Sequence, residues 1–448
     1  MTAIERLARF VTTAAPDPGL VTVIAPAIAD CFGCILAGAS SDVAERVAAA
    51  SAVFGPGPAP RFGTDMGMPI PLAAQLNAVA GHAWDLDDWE EPANTHPTVV
   101  LLPALLAAAA LRKTSGAELM AAYAVGAEII MRLGEAVTLD HYSRGFHSTA
   151  TLGTIGVAGA AARLMRLSAG QTAQAIALSV SQASGYTLQF GSHAKPLQAG
   201  WAARNGLEAA LLAAQGVTGQ SHVLDHPRGF AGLMGTFDPD RFALILNKLG
   251  QPWALREYGL VLKPWPSCGY THRLMTAALS LRPKVASRLP EIAAIHASLP
   301  DFHAEILPFH RPASRGEALF SIPACVAQTL TAGTLTLTDS ANGFWERPAV
   351  AALIEVTRVS PEPARRPDLN YDPNQPDRLR IAFGDGDVIA ASCAYPLGAA
   401  QQPMTAAQLA AKYSDITAQP ETAFRDLLGW QAADDISAFF KEHSHAAA

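Results

Sequence analysis

The sequence predicts a mostly α-helical protein: a large all-helical domain built from both chain ends, interrupted by a smaller α+β lid domain. Three observations predict it. The chain has 448 residues, too many for one compact core. Half of them are hydrophobic and 16% are charged, which supplies enough apolar surface for two cores. The pattern is helical up to about residue 260, changes character after Pro266, and returns to helix near the carboxyl end. The expected division is 1–265 with 400–448 for the helical domain and 266–399 for the lid.

Val23–Gly38 is the first long apolar helix, and it contains Cys31 and Cys34. The five cysteines are scattered and no second CxxC completes a zinc site, so these two read as core residues. Ala/Leu-rich runs then predict helices over Pro71–Leu86, Pro103–Arg112, Gly116–Val137, Ala150–Leu167, Ala169–Ser184 and Ala199–Gln215, with no strand alternation between them. Gly153, Gly156 and Gly159 recur every third residue, a spacing that fits close helix approach and not a dinucleotide fingerprint. Beyond Pro266, helices are expected at His272–Leu281 and Pro323–Leu330. Strands are expected at Glu291–Leu299, Ala304–Pro308, Ala352–Val359, Asp377–Phe383 and Asp387–Ser392. Gly384-Asp-Gly386 marks a hairpin between the last two, and the proline-rich run Ser360–Pro376 reads as a loop. The tail opens on the capping box Thr405-Ala-Ala-Gln408.

The formal net charge is −7 and the basic residues are scattered, which argues against nucleic acid as a partner. The first ten residues carry charges where a signal peptide would be apolar. Thr98–Leu111 is read as the longest apolar stretch, too short for a bilayer and broken by Pro103. The expectation is a cytoplasmic protein with no membrane partner.

Four stretches hold most of the candidate chemistry. His82-Ala-Trp-Asp-Leu-Asp-Asp-Trp-Glu-Glu91, followed by His96, crowds five carboxylates that need neutralising. A divalent metal is one reading, but a diphosphate enzyme would need a second acidic cluster and a basic clamp, and neither is seen. Solvated helix-end charge accounts for Glu90 and Glu91, less easily for Asp85. The second stretch, Tyr142-Ser-Arg-Gly-Phe-His147, puts His147 just before a helix, whose positive end favours a neutral imidazole and an anionic ligand. The third and fourth are Phe190-Gly-Ser-His-Ala-Lys195-Pro and Leu262-Lys263-Pro-Trp-Pro-Ser-Cys-Gly-Tyr-Thr-His272. A lysine before proline is excluded from mid-helix, so both ammoniums are expected on stiff, non-helical segments with few acidic neighbours. Such a lysine can serve as a base or hold an anion.

These four stretches in this order resemble the MmgE/PrpD family, which contains 2-methylcitrate dehydratase, cis-aconitate decarboxylase and iminodisuccinate epimerase. The resemblance runs from the Asp30-Cys-Phe-Gly-Cys-Ile-Leu-Ala-Gly38 helix to Phe320-Ser-Ile-Pro-Ala-Cys-Val-Ala327. It implies a homodimer, no metal and no organic cofactor. It also implies catalytic roles for Asp85, His96, His147, Lys195 and Lys263 on a small di- or tricarboxylate, with Tyr142, Trp89, Gln198 and His272 as substrate-binding candidates. The chain departs from the family pattern in places. Ala324 stands where decarboxylase-like members carry tyrosine, Gln198 where histidine is common, and Trp89 where threonine is frequent. One extra residue precedes His96, and Pro266-Ser-Cys-Gly269 replaces a Cys-Cys-Arg pattern of the dehydratases. Losing a tyrosine and an arginine removes groups that bind and protonate a leaving group. The expectation that follows is an isomerase, epimerising a small imino or amino dicarboxylate by α-proton transfer. A 2-methylcitrate dehydratase-like hydro-lyase is the alternative, and a non-catalytic anion-binding scaffold the third reading.

Overall fold

The computed structural model describes residues 1–235, 237–366 and 369–444, and it is mostly helical with a small mixed sheet. Long helices with small residues on their contact faces stack side by side: Ile70–His82, Pro97–Ala108, Gly116–Ser143, Ser148–Leu164 and Ala194–Ala214. Side chains no larger than alanine let these axes approach, and at Gly156 an added Cβ would stand 2.3 Å from the side chain of Ile130. Capping boxes start several helices where the sequence placed them, including Ser115 with Glu118, Ser168 with Gln171, and Thr405 with Gln408.

Buried apolar side chains fall into two clusters. One joins residues 3–260 to the tail residues 409–440. The other gathers residues 261–399 with Trp89 and Tyr142, which reach into it from the helical side. The mixed sheet lies in the second cluster, in the order Thr357–Glu362, Ile292–Pro300, Asp377–Phe383, Val388–Cys393. Its first pair is parallel and the other two are antiparallel. Leu379, Ile381 and Phe383 alternate inward and bury, with the more exposed Arg380 and Ala382 between them, as a half-covered strand requires.

Several expectations change. Residues Ala304–Pro308 are not a strand, because Asp301–Ile306 is a short helix. Ala352–Val359 is divided between helix Pro348–Val356 and the strand that follows it. The helix predicted from Pro103 begins six residues earlier, at Pro97, and passes through Pro103. A two-residue bridge, Ala59–Pro60 with Gly67–Met68, interrupts the helical part. Thr98–Leu111 is not the longest apolar segment: Pro18–Gly38 is long and apolar enough to cross a membrane, although two-thirds of it is buried inside the protein's own core. Cys31 and Cys34 lie in this helix as free, buried thiols whose pKa burial pushes well above the ordinary value.

Candidate active site

Asp85 is the centre of the site. It follows helix Ile70–His82 in a left-handed backbone conformation, φ +51°, which a non-glycine residue adopts at a cost. Trp89, four residues on, exchanges two backbone hydrogen bonds with Val261, and this short bridge carries Lys263 beneath the Asp85 loop. There the Lys263 ammonium donates to the Asp85 backbone oxygen at 2.9 Å and to Oδ1 at 2.6 Å. Lys195 Nζ reaches the same Oδ1 at 2.7 Å, set between the rings of Phe190 and Phe320. Two cations therefore share one carboxylate oxygen, and Oδ2 has no hydrogen-bond partner among the described residues. Burial pushes the Asp85 pKa up, but the two lysines and His96 outweigh it and hold the carboxyl well below the usual range.

Lys263 is on an irregular segment, as expected. Lys195 is not, since it lies in the first turn of helix Ala194–Ala214. Proline bars its predecessor from a helix interior, but Pro196 sits where the first backbone N–H groups have no intrahelical acceptor anyway, so the restriction does not bite. His96 and His147 each immediately precede a helix, Pro97–Ala108 and Ser148–Leu164. Burial takes His96 down to about 3, against the opposing pull of Asp87 and with help from Lys263. Burial and the nearby Lys195 also hold His147 well below the ordinary histidine value, so its imidazole is neutral.

Gln198, expected to touch substrate, does something else. Its Oε1 lies 2.7 Å from His147 Nδ1, while its Nε2 donates to the Tyr186 backbone oxygen at 3.2 Å. The amide orientation makes Nδ1 the protonated nitrogen, and Nε2, which has no protein partner, keeps its lone pair. His272 also stays out of the cavity. It is fully buried behind Lys263, against Ser267 Oγ at 3.1 Å and the Trp265 ring.

The cavity beside this cluster is small, about 30 Å³, and partly open. Asp85, His96, His147, Lys195, Trp89 and Tyr142 line it, as do Asn94, Phe190 and Tyr270, which sequence reasoning did not single out. Tyr270 was in plain view in the Lys263 stretch. Asn94 donates to the Tyr270 hydroxyl at 2.8 Å, and that hydroxyl donates to Asn370 Oδ1 at 2.8 Å.

Three more carboxylates of the acidic stretch are each held by specific neighbours. Asp87 lies 2.8 Å from His82 Nδ1 and 3.1 Å from His96 Nδ1. Asp88 accepts from the Thr98 hydroxyl, and burial raises its pKa to about 8, so it is protonated at neutral pH. Glu90, expected as solvated charge, is fully buried and accepts from the Ala93 and Thr95 amides and the Thr95 hydroxyl. His82, Asp85, Asp87 and His96 do present ligand atoms within 4.8 Å of one another. Two ammoniums already occupy Asp85 Oδ1, and a divalent cation at that carboxylate would meet their repulsion.

Residues 5–242 match the MmgE/PrpD N-terminal domain and residues 265–424 the MmgE/PrpD C-terminal domain. The curated relatives include cis-aconitate decarboxylase of Homo sapiens, 33% identical over 316 residues, 68% of this chain and 64% of the relative. The Mus musculus cis-aconitate decarboxylase is 30% identical over the same shares. The Aspergillus terreus cis-aconitate decarboxylase is 28% identical over 413 residues, 86% of this chain and 82% of the relative. The chain thus spans 64% of the length of the human and mouse proteins it resembles. These relatives are decarboxylases by name and none of the three is an epimerase. Two matched domains covering most of its length show that the chain belongs to the MmgE/PrpD family.

Proposed function

We propose that the chain is a lyase acting on a small di- or tricarboxylate in the cavity around Asp85, with loss of a carboxylate as CO2 the first reaction to test. This replaces the epimerase expectation, because the relatives carry a carboxy-lyase name. The observation that carries it is the convergence of Lys195 and Lys263 on one carboxylate oxygen beside a neutral histidine with an open nitrogen. Cleaving the C–C bond sends its electron pair into the adjoining unsaturated carboxylate, whose developing negative charge the two ammoniums stabilise. A proton must then return to carbon, and Lys195 and Tyr142 both bring protic groups to the cavity. His96 and His147 orient the substrate or shuttle that proton. The chemistry needs no organic cofactor, and the same residues serve a hydro-lyase that removes water.

Epimerisation keeps one observation in its favour. Ala324 is fully buried on helix Ile322–Ala332 and delivers no hydroxyl where a decarboxylase-like tyrosine was expected. The reading includes a homodimer, a cytoplasmic setting and residues 266–399 as a covering domain.

Proton NMR in deuterated water tests it, with cis-aconitate, 2-methylcitrate and iminodisuccinate in separate tubes. New vinylic signals from cis-aconitate with release of CO2 are expected. Deuterium entering iminodisuccinate at the α-carbon, with both tricarboxylates untouched, would overturn the lyase reading.

A further inference from the structure

Lys195 borders two spaces. On one side it faces the small cavity, and on the other it lines a cleft of about 460 Å³ between residues 191–196 and residues 314–320. Asp85 lines both spaces as well, so the cleft leads directly to the proposed reaction centre. At one point the walls touch backbone to backbone: a Cβ on Gly316 would stand 2.2 Å from the Gly191 carbonyl oxygen, and Gly191 itself needs φ +85°.

On the far wall is Arg315. Its guanidinium lies 4.3 Å above the Trp84 ring, a stacked placement that fixes the planar fork while leaving its edge donors open. It is half-buried, yet it makes no hydrogen bond or ion pair among the described residues. The nearest opposing charge it feels is Asp42, and that carboxylate already pairs with Arg46 at 2.7 Å and His193 at 3.2 Å. The inner cations differ in this respect, because both Lys195 and Lys263 are committed to Asp85.

We propose that this cleft is the outer half of the substrate site and that Arg315 binds the carboxylate of a tricarboxylate that lies farthest from Lys263. The proposal rests on the polycarboxylate reading of the inner cavity and adds the residue that distinguishes three carboxylates from two. A planar guanidinium held on an aromatic face can take a carboxylate through two parallel N–H···O bonds, and a dicarboxylate bound against the inner residues has no third carboxylate to offer it.

Calorimetry with propane-1,2,3-tricarboxylate and with succinate tests it without requiring turnover. Arg315→Ala should weaken tricarboxylate binding by roughly tenfold or more, the scale of a lost charge-assisted hydrogen bond, and change succinate binding less than twofold. Arg315→Lys should recover part of the loss. Arg311→Ala serves as the neighbouring control, since Arg311 pairs with Glu355 on the surface, and should change neither affinity. Tricarboxylate affinity unchanged in Arg315→Ala, an equal loss for both ligands, or no tricarboxylate binding by the unmodified protein would overturn the subsite. A protein that binds tricarboxylate through Arg315 but converts no polycarboxylate would leave the subsite standing and remove the lyase reading.

Discussion

Two regions of this molecule bury several charges, and only one of them is equipped for chemistry. Around Arg132, on helix Gly116–Ser143, the donors are matched to acceptors: Nε to Glu128 at 3.0 Å, Nη1 to Glu135, and Nη2 to the Pro252 oxygen at 2.6 Å and Glu257 at 2.9 Å. Glu128 is further held by the Gly250 and Ala254 amides, and Glu135 by Lys248. Around Asp85 the burial is as deep, but Asp85 Oδ2, His82 Nε2 and His147 Nε2 have no partner. A closed network anchors distant chain segments, whereas a network with open valences has somewhere to put a substrate. Burial of charge alone does not separate the two.

Substitutions can sharpen that contrast. Lys263→Ala should lower kcat/KM by roughly 10²–10⁴-fold, the usual scale for a lost proton-transfer or charge-stabilising group, with the far-UV circular dichroism spectrum unchanged. Retention of most activity would take Lys263 out of the mechanism. Arg132→Met should do the reverse. It removes the charge partner of buried Glu128, so urea denaturation should show a loss of about 3–5 kcal/mol while the folded protein keeps the kcat of the unmodified chain within twofold. If it lost activity without losing stability, the two regions would not be the different kinds of network described here.

Smaller effects test the finer parts. Gln198→Leu removes the acceptor that fixes the His147 tautomer, and kcat should fall roughly tenfold with KM little changed. Gln198→Glu should restore most of the rate and move the acid limb of the pH profile upward, which a purely structural role would not do. In the unmodified protein that limb should lie well below the ordinary histidine value of about 6.5. The sign follows from burial: His96, at about 3, and His147 are depressed, so each stays neutral until the pH falls through its lowered pKa. A limb near 6.5 would exclude both as the group that must be neutral. The smallest expected effect is none at all, from a chelator, because lysine ammoniums already neutralise Asp85. Loss of rate that added divalent metal restores would reassign the His82, Asp85, Asp87 and His96 cluster.

The helices were legible because composition and capping act locally. Thr405-Ala-Ala-Gln408 forms the box that its spacing implies. His147 was readable too, since the position before a helix already implies a neutral ring. What sequence could not show was which side chains turn toward one another. Gln198 and His147 are 51 residues apart, and nothing local announces that one locks the other. His272 shares a stretch with Lys263 yet faces Ser267, because the chain enters a helix there and swings the ring away from the cavity. Glu90 looked like surface charge because its donors, the Ala93 and Thr95 amides, become available only when the turn forms. The strand expected at Ala304–Pro308 failed for a different reason: a short apolar run fits helix or strand equally, and tertiary packing decides.

The shared oxygen of Asp85 also determines how this site fills. With both ammoniums bound to it, the carboxylate is a tethered counter-ion that resembles the ligand it awaits. On the proposed reading, an arriving polycarboxylate competes with the tethered Asp85 carboxylate for two ammoniums that are already engaged. Affinity then depends on how well the newcomer's geometry beats the resident's.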